Sequence, residues 1–160
     1  MKKTNARRSS AENISLDDLD IRILNILEEN GRLSYRNIAK RIGVSVSTIM
    51  NHVNALEKSG LIKQYSAKID YEKIGYDVTA IIDMRISKGK LFEVEKKIAV
   101  HPNVFGVYDT TGSFDATILV RFRKRSDLDK FLKSIQLYEF VERTETKLVL
   151  NVIKEGSIKI

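Results

Sequence analysis

The sequence contains no cysteine, no tryptophan and a single proline, Pro102, among its 160 residues. Without thiols there is no disulfide framework, no thiolate metal site and no cysteine nucleophile, a composition that fits a reducing compartment. Histidine is nearly as scarce. His52 and His101 stand about fifty positions apart, so a histidine-built catalytic metal site lacks a ligand set, although carboxylates alone could hold calcium or magnesium. No apolar run approaches the roughly 18 residues of a membrane span, and residues 1–13, MKKTNARRSSAEN, carry charge without the apolar stretch of a signal peptide. Also missing are the GxxxxGKS/T, GxGxxG, HExxH and GxSxG patterns, the usual signs of nucleotide, dinucleotide, zinc-hydrolase and serine-hydrolase chemistry. The expectation is a cytoplasmic protein that is not an enzyme and carries no cofactor.

What is present is a hydrophobic fraction of 42%, sufficient for real cores, and 28 Lys+Arg against 21 Asp+Glu, a net charge of +7. The excess is unevenly placed. Between Gly31 and Lys68 stand seven bases (Arg32, Arg36, Lys40, Arg41, Lys58, Lys63, Lys68) and one acid, Glu57. Residues 1–13 add four bases and one acid, whereas from Tyr76 onward bases and acids nearly balance, at 15 and 12. A basic first half points to a polyanionic partner for that half.

Ordered structure is expected from about Ser15, which with Asp18 has the spacing of a helix cap. Leu16, Leu19, Ile23, Ile26 and Leu27 then recur at helical spacing, and Asn30-Gly31 reads as a left-handed stop. Ser34 can cap a short second helix with Ile38, Ala39 and Ile42 inside, broken by Gly43. Ser45 caps a third, whose Ile49, Val53 and Leu56 follow the i, i+4, i+7 rule until Gly60. Two short helices around a glycine, after a longer one, form the pattern of a helix-turn-helix. Leu61 to Ile69 is β-leaning and reads as a strand leaving these helices, with Asp70 to Gly75 as the link.

The second half alternates strand and helix signals. Val78 to Ile86 has period two, and Leu91, Val94 and Ile98 have a helical period ended by His101-Pro102, with His101 read as a helix cap. Val104 to Thr111 and Phe114 to Phe122 form a hairpin around Gly112-Ser113. Ser126 caps a helix with Leu128, Phe131, Leu132 and Ile135 inside, and Leu148, Leu150 and Val152 close with a strand. The order βαββαβ is that of a ferredoxin-like domain, an antiparallel sheet with two helices on one face. The fold class expected is therefore α+β. The expected division is a disordered basic arm at 1–13, a (winged) helix-turn-helix domain at 14–62, a strand and linker at 63–75, and the ferredoxin-like domain at 76–160.

On a wheel of about 100° per residue, the face of the third helix opposite Ile49 and Leu56 carries Ser47, Thr48, Asn51, Asn54, Ala55 and Lys58. It is short, polar and almost uncharged, where a solvated face ordinarily carries Lys and Glu in quantity. Asn can bond adenine N6 and N7 together, Ser and Thr reach phosphates or base edges, and Ala meets a thymine methyl. Ser45, at the helix start, and His52, at its flank, complete the candidate set. Arg32, Arg36, Lys40 and Arg41 lie on or before the second helix, which in such a unit crosses the phosphate backbone. In the second half, the turn Thr110 to Asp115 gathers backbone donors, hydroxyls and one carboxylate, and Thr111, Gly112, Ser113 and Asp115 are a candidate site for a small metabolite, set against an ordinary glycine turn.

These residues resemble the Lrp/AsnC (leucine-responsive, feast/famine) family of transcriptional regulators. The likeness is carried by Leu16-Asp17-Asp18-Leu19-Asp20-Ile21-Arg22-Ile23-Leu24, Asn30-Gly31-Arg32, Ile38-Ala39, Val44-Ser45-Val46-Ser47-Thr48-Ile49, Leu56 to Ile62 and Leu61 through Gly75. In the second half it is carried by Pro102-Asn103-Val104, Thr111 to Asp115 and Val141 to Thr146. The resemblance implies a sequence-specific regulator on double-stranded DNA with a palindromic operator. It also implies a homodimer built through the ferredoxin-like sheets, assembling further into tetramers or octamers, and an amino-acid effector held at a site that includes Gly112 to Asp115. His52 and Asn54 stand where the family often has arginine, and Ser113 and Phe114 where an acid and a tyrosine are frequent. The rival reading is an enzyme, because siroheme decarboxylases are similar to this family in both domains.

Overall fold

The computed structural model describes residues 14–87 and 89–160. The basic arm at 1–13 lies outside the described residues. Two compact units are present, 14–68 with 156–160, and 69–155. The division falls inside the stretch read as strand and linker, and the last five residues group with the first unit rather than the second.

The first unit holds α1 (Asp18–Glu29), α2 (Tyr35–Ile42) and α3 (Val46–Lys58). Their apolar stripes meet in a core of Ile23, Leu27, Ile38, Ala39, Ile49, Val53 and Leu56, all buried. Burying side chains of this size contributes about 1.5–3 kcal/mol each before chain entropy is counted. Ser34 and Ser45 cap α2 and α3 as their positions predict, each accepting from the N–H three residues on. Gly43, at φ 86°, ends α2 in the left-handed conformation that lets the chain reverse within two residues.

Three local expectations are corrected here. The cap of α1 is Asp17, not Ser15, because a reciprocal capping box forms: Asp17 accepts from the Asp20 N–H at 2.7 Å and Asp20 from the Asp17 N–H at 3.2 Å. Asn30 is extended, at φ −153°, and no positive φ occurs at Gly31. The turn closes instead through the Asn30 side chain, which accepts from the Arg32 N–H at 3.0 Å. Leu61 to Ile69 is not a strand. Leu61 and Ile62 donate back to the Leu56 carbonyl, closing α3 after Gly60, and the following residues run on with no ladder partner among the described residues. Tyr65 pins this stretch to α3 by donating to Glu57 at 2.9 Å. Burial and that bond push its hydroxyl up to about 12.

A single 3-10 turn at Glu72–Ile74 opens the second unit, followed by β1 (Val78–Ile86), α4 (Leu91–Ala99), β2 (Val104–Asp109), β3 (Ala116–Phe122), α5 (Arg125–Gln136) and β4 (Val141–Leu148). The sheet order is β2-β3-β1-β4 with every neighbouring pair antiparallel, the ferredoxin-like arrangement the sequence predicts. One face buries Ala80, Ile82, Met84, Ala116, Ile118 and Val120 against Val94, Ile98, Leu128, Phe131 and Ile135 of the two helices. The other face carries Thr79, Ile81, Asp83, Thr117, Leu119 and Arg121, with Ile81 opposite Leu119.

Three corrections fall in this unit. Lys124, not Ser126, precedes α5, and Ser126 lies exposed in the first turn. The last strand is Val141–Leu148, not the run through Leu150 and Val152, and Leu150 is 90% exposed. His101 does not cap α4: its Nδ1 accepts from the Asn103 N–H at 3.2 Å and its ring packs 4.7 Å from that of Phe131. The hairpin is also tighter at its base, with Thr110 donating to the Asp115 carbonyl.

Candidate DNA interface and effector turn

The turn around Gly43 sets α3 against α2 and leaves one face of α3 outside. At its start, Ser45 Oγ accepts from the Thr48 N–H at 3.0 Å and meets Ser47 Oγ at 2.8 Å and Thr48 Oγ1 at 2.7 Å. Ser45 and Thr48 are therefore occupied in building the helix start, and Thr48 is half-buried. Further along the same face, Ser47, Asn51, Asn54, Ala55 and Lys58 are exposed. Neither asparagine amide makes a hydrogen bond among the described residues, so both retain the donor and acceptor pair that a purine edge requires.

Met50, 44% exposed, stands one turn from Asn54 and Ser47 on this face. Sequence reasoning gave it no role. The signal was available, because Met50 lies about 110° from the core centre on the wheel, and its thioether offers an apolar surface for a thymine methyl.

His52 is placed differently. Its Nδ1 lies 2.7 Å from Asp20 Oδ1, joining α3 to the capping box of α1. Burial pushes the Asp20 carboxyl up, but the bonds from His52 and from the Asp17 N–H outweigh it and hold the group below the ordinary carboxylate range. Asp17, Asp20 and His52 are close enough to hold an ion, yet their bonds to one another account for the arrangement. Arg22, which sequence reasoning left aside, donates to the Ile42 carbonyl at 3.2 Å and ties α1 to the end of α2. Arg32, Arg36 and Lys40 are exposed and form no ion pair among the described residues. They lie before, at the start and near the end of α2.

In the second unit, Thr111, Gly112 and Ser113 are exposed at the tip of the β2–β3 hairpin, with Gly112 at φ 118°. Arg85 donates to the Ser113 carbonyl at 2.9 Å and lies 3.9 Å from Glu142. Asp115 turns inward. Its Oδ2 accepts from the Ile86 N–H at 2.8 Å, where the β1–β4 register shifts. Its carboxylate therefore holds the turn against β1, and Thr111 and Ser113 are the side chains left facing outward.

Comparison with known proteins agrees with both units. The winged helix-turn-helix DNA-binding family matches residues 16–63, and the Lrp/AsnC ligand binding domain matches residues 79–158. An HTH-type transcriptional regulator of Pyrococcus furiosus is 43% identical over 142 residues, covering 89% of this chain and 96% of that protein. The regulator FL11 of the same organism is 37% identical over 140 residues, covering 88% and 93%. Among solved structures, AsnC of Escherichia coli superposes with a TM-score of 0.86 at 30% identity, covering 92% of this chain and all of that one. A transcriptional regulator of Neisseria meningitidis in complex with L-Met superposes at 0.83 and 27% identity, covering 89% and 95%. These relatives are regulators, and the siroheme-decarboxylase alternative finds no support in them. With three helices built to present α3 and a ferredoxin-like sheet behind them in sequence, this chain belongs to the Lrp/AsnC family of DNA-binding transcriptional regulators.

Proposed function

We propose that this regulator reads a palindromic operator through α3, as a homodimer joined by its ferredoxin-like sheets, in the cytoplasm, and that an amino acid modulates it. The observation that carries the reading is the outer face of α3, where Asn51 and Asn54 are exposed with unengaged amides. Ser47, Asn51, Asn54 and Met50 read base edges. Arg32, Arg36 and Lys40 contact phosphates, and Ser45 and Thr48 hold the helix start at the backbone. His52 serves mainly by fixing α3 to α1. The sheet face with Ile81 and Leu119 has no covering helix among the described residues, which supports its use as the dimer surface, and tetramers or octamers follow from further pairing of dimers.

The effector reading rests on Thr111, Gly112, Ser113 and Asp115. Thr111 and Ser113 offer hydroxyls, Gly112 leaves its amide accessible, and Asp115 keeps the turn rigid. The Neisseria relative was crystallised with L-Met, and an amino acid of that kind suits such a turn.

The test is a salt series with specific and random duplexes. Asn51→Ala should lose about 1–3 kcal/mol of specific binding while non-specific binding is kept. Arg36→Ala should weaken both and lower the salt slope by about one. Equal loss on both duplexes with Asn51→Ala contradicts the assignment of α3.

A further inference from the structure

The second unit contains a cleft of about 500 Å³ that the effector reading does not use. It lies beside Phe122, at the end of β3 opposite the Thr111–Asp115 turn, so about 20 Å of strand separates the two. Its volume is within the range of small-molecule sites.

The cleft has an aromatic floor. The rings of His101 and Phe131 are 4.7 Å apart, those of Phe122 and Phe131 5.5 Å, and those of His101 and Phe122 5.9 Å. Tyr76 forms a wall, with the Arg123 guanidinium 4.7 Å above its ring. Two donor groups of the lining, on Arg123 and His101, are left without an acceptor among the described residues. Arg123 is stacked and has no carboxylate partner among the described residues, so its donors are held in place and unengaged. His101 Nδ1 accepts from the Asn103 N–H, which in the neutral ring puts the proton on Nε2. That N–H makes no hydrogen bond among the described residues. Lys130 is matched by Asp127 at 3.5 Å, and the lining is left with one net positive charge. Ser134 Oγ donates to the Phe131 carbonyl and leaves the α5 side of the cleft small.

We propose that this cleft binds a small aryl carboxylate, its ring lying on Phe131 and His101 and its carboxylate taking hydrogen bonds from Arg123 and His101 Nε2. A stacked arginine with a free fork matches a carboxylate bidentately, and a planar ring fits the aromatic floor better than an aliphatic chain. The site is independent of the hairpin turn.

The test is an NMR titration of the full chain with benzoate and indole-3-acetate, using acetate, benzylamine and inorganic phosphate as controls. The His101 and Tyr76 ring resonances should shift saturably with the two aryl acids alone. Arg123→Gln should weaken binding about tenfold or more. Ser134→Trp, which fills the cleft from an exposed position of α5, should abolish it. Four results overturn the proposal: no saturable shift up to about 10 mM, equal binding of acetate or phosphate, affinity unchanged in Arg123→Gln, or shifts confined to Thr111–Asp115.

Discussion

Asp20 does two jobs with one carboxylate. It closes the capping box with Asp17, holds His52 and so locates α3. Replacing it by Asn weakens each bond, and Asp20→Asn should destabilise the first unit by about 1–2 kcal/mol in thermal melts near neutral pH. Its folded carboxyl titrates below the ordinary value, so this stabilisation is complete above about pH 4 and is lost as pH falls through the folded value. The gap between wild type and Asp20→Asn should therefore close once acid protonates the folded carboxyl, and a gap that persists below that point contradicts the pairing. At this scale the sequence was only partly readable. The polar face of α3 followed from its wheel, but the partner of His52 lies 32 residues away on another helix, and no local pattern encodes it. The same holds for the ring contacts of His101 with Phe122 and Phe131, which depend on how β3 and α5 pack, although its bond from Asn103 is local.

Elements were legible where a local signal sets them. Ser34 and Ser45 cap α2 and α3 because a hydroxyl at that position satisfies an N–H three residues on. The buried strands β1 and β3 followed from strict alternation. β4 did not, because Val141–Leu148 is an edge strand with a mostly exposed, charged sequence, and its pairing with β1 rather than its own pattern makes it a strand. Leu61–Ile69 failed in the opposite sense, since β propensity without a partner strand makes no ladder. The turn between α2 and α3 gives the clearest test at this scale. A Cβ on Gly43 would meet nothing within 4 Å, so its cost is backbone strain alone. Gly43→Ala should cost about 1–2 kcal/mol in denaturant melts and Gly43→Asn distinctly less. Equal costs would place the penalty elsewhere.

Across the whole molecule, the charge and the open sheet face divide the work. The +7 of the chain is concentrated in residues 1–68, which hold the three helices of the DNA-binding unit, and the second half is nearly balanced. Leu119→Glu puts a charge at the middle of the face proposed to pair, and sedimentation should show monomers where the wild type sediments as a dimer or larger; an unchanged assembly places the interface elsewhere. The proposed two-fold dimer requires two copies of α3 about 34 Å apart, one helical turn of DNA or a multiple of it. The most direct measurement is selection of bound duplexes from a random pool, with wild type and Asn51→Ala in parallel. The account predicts that wild type enriches an inverted repeat with half-site centres about 10 bp apart, or a multiple of that, and that Asn51→Ala loses preference at one base pair in each half-site. No enriched site with the wild type, or the same site with undiminished preference in Asn51→Ala, would contradict it.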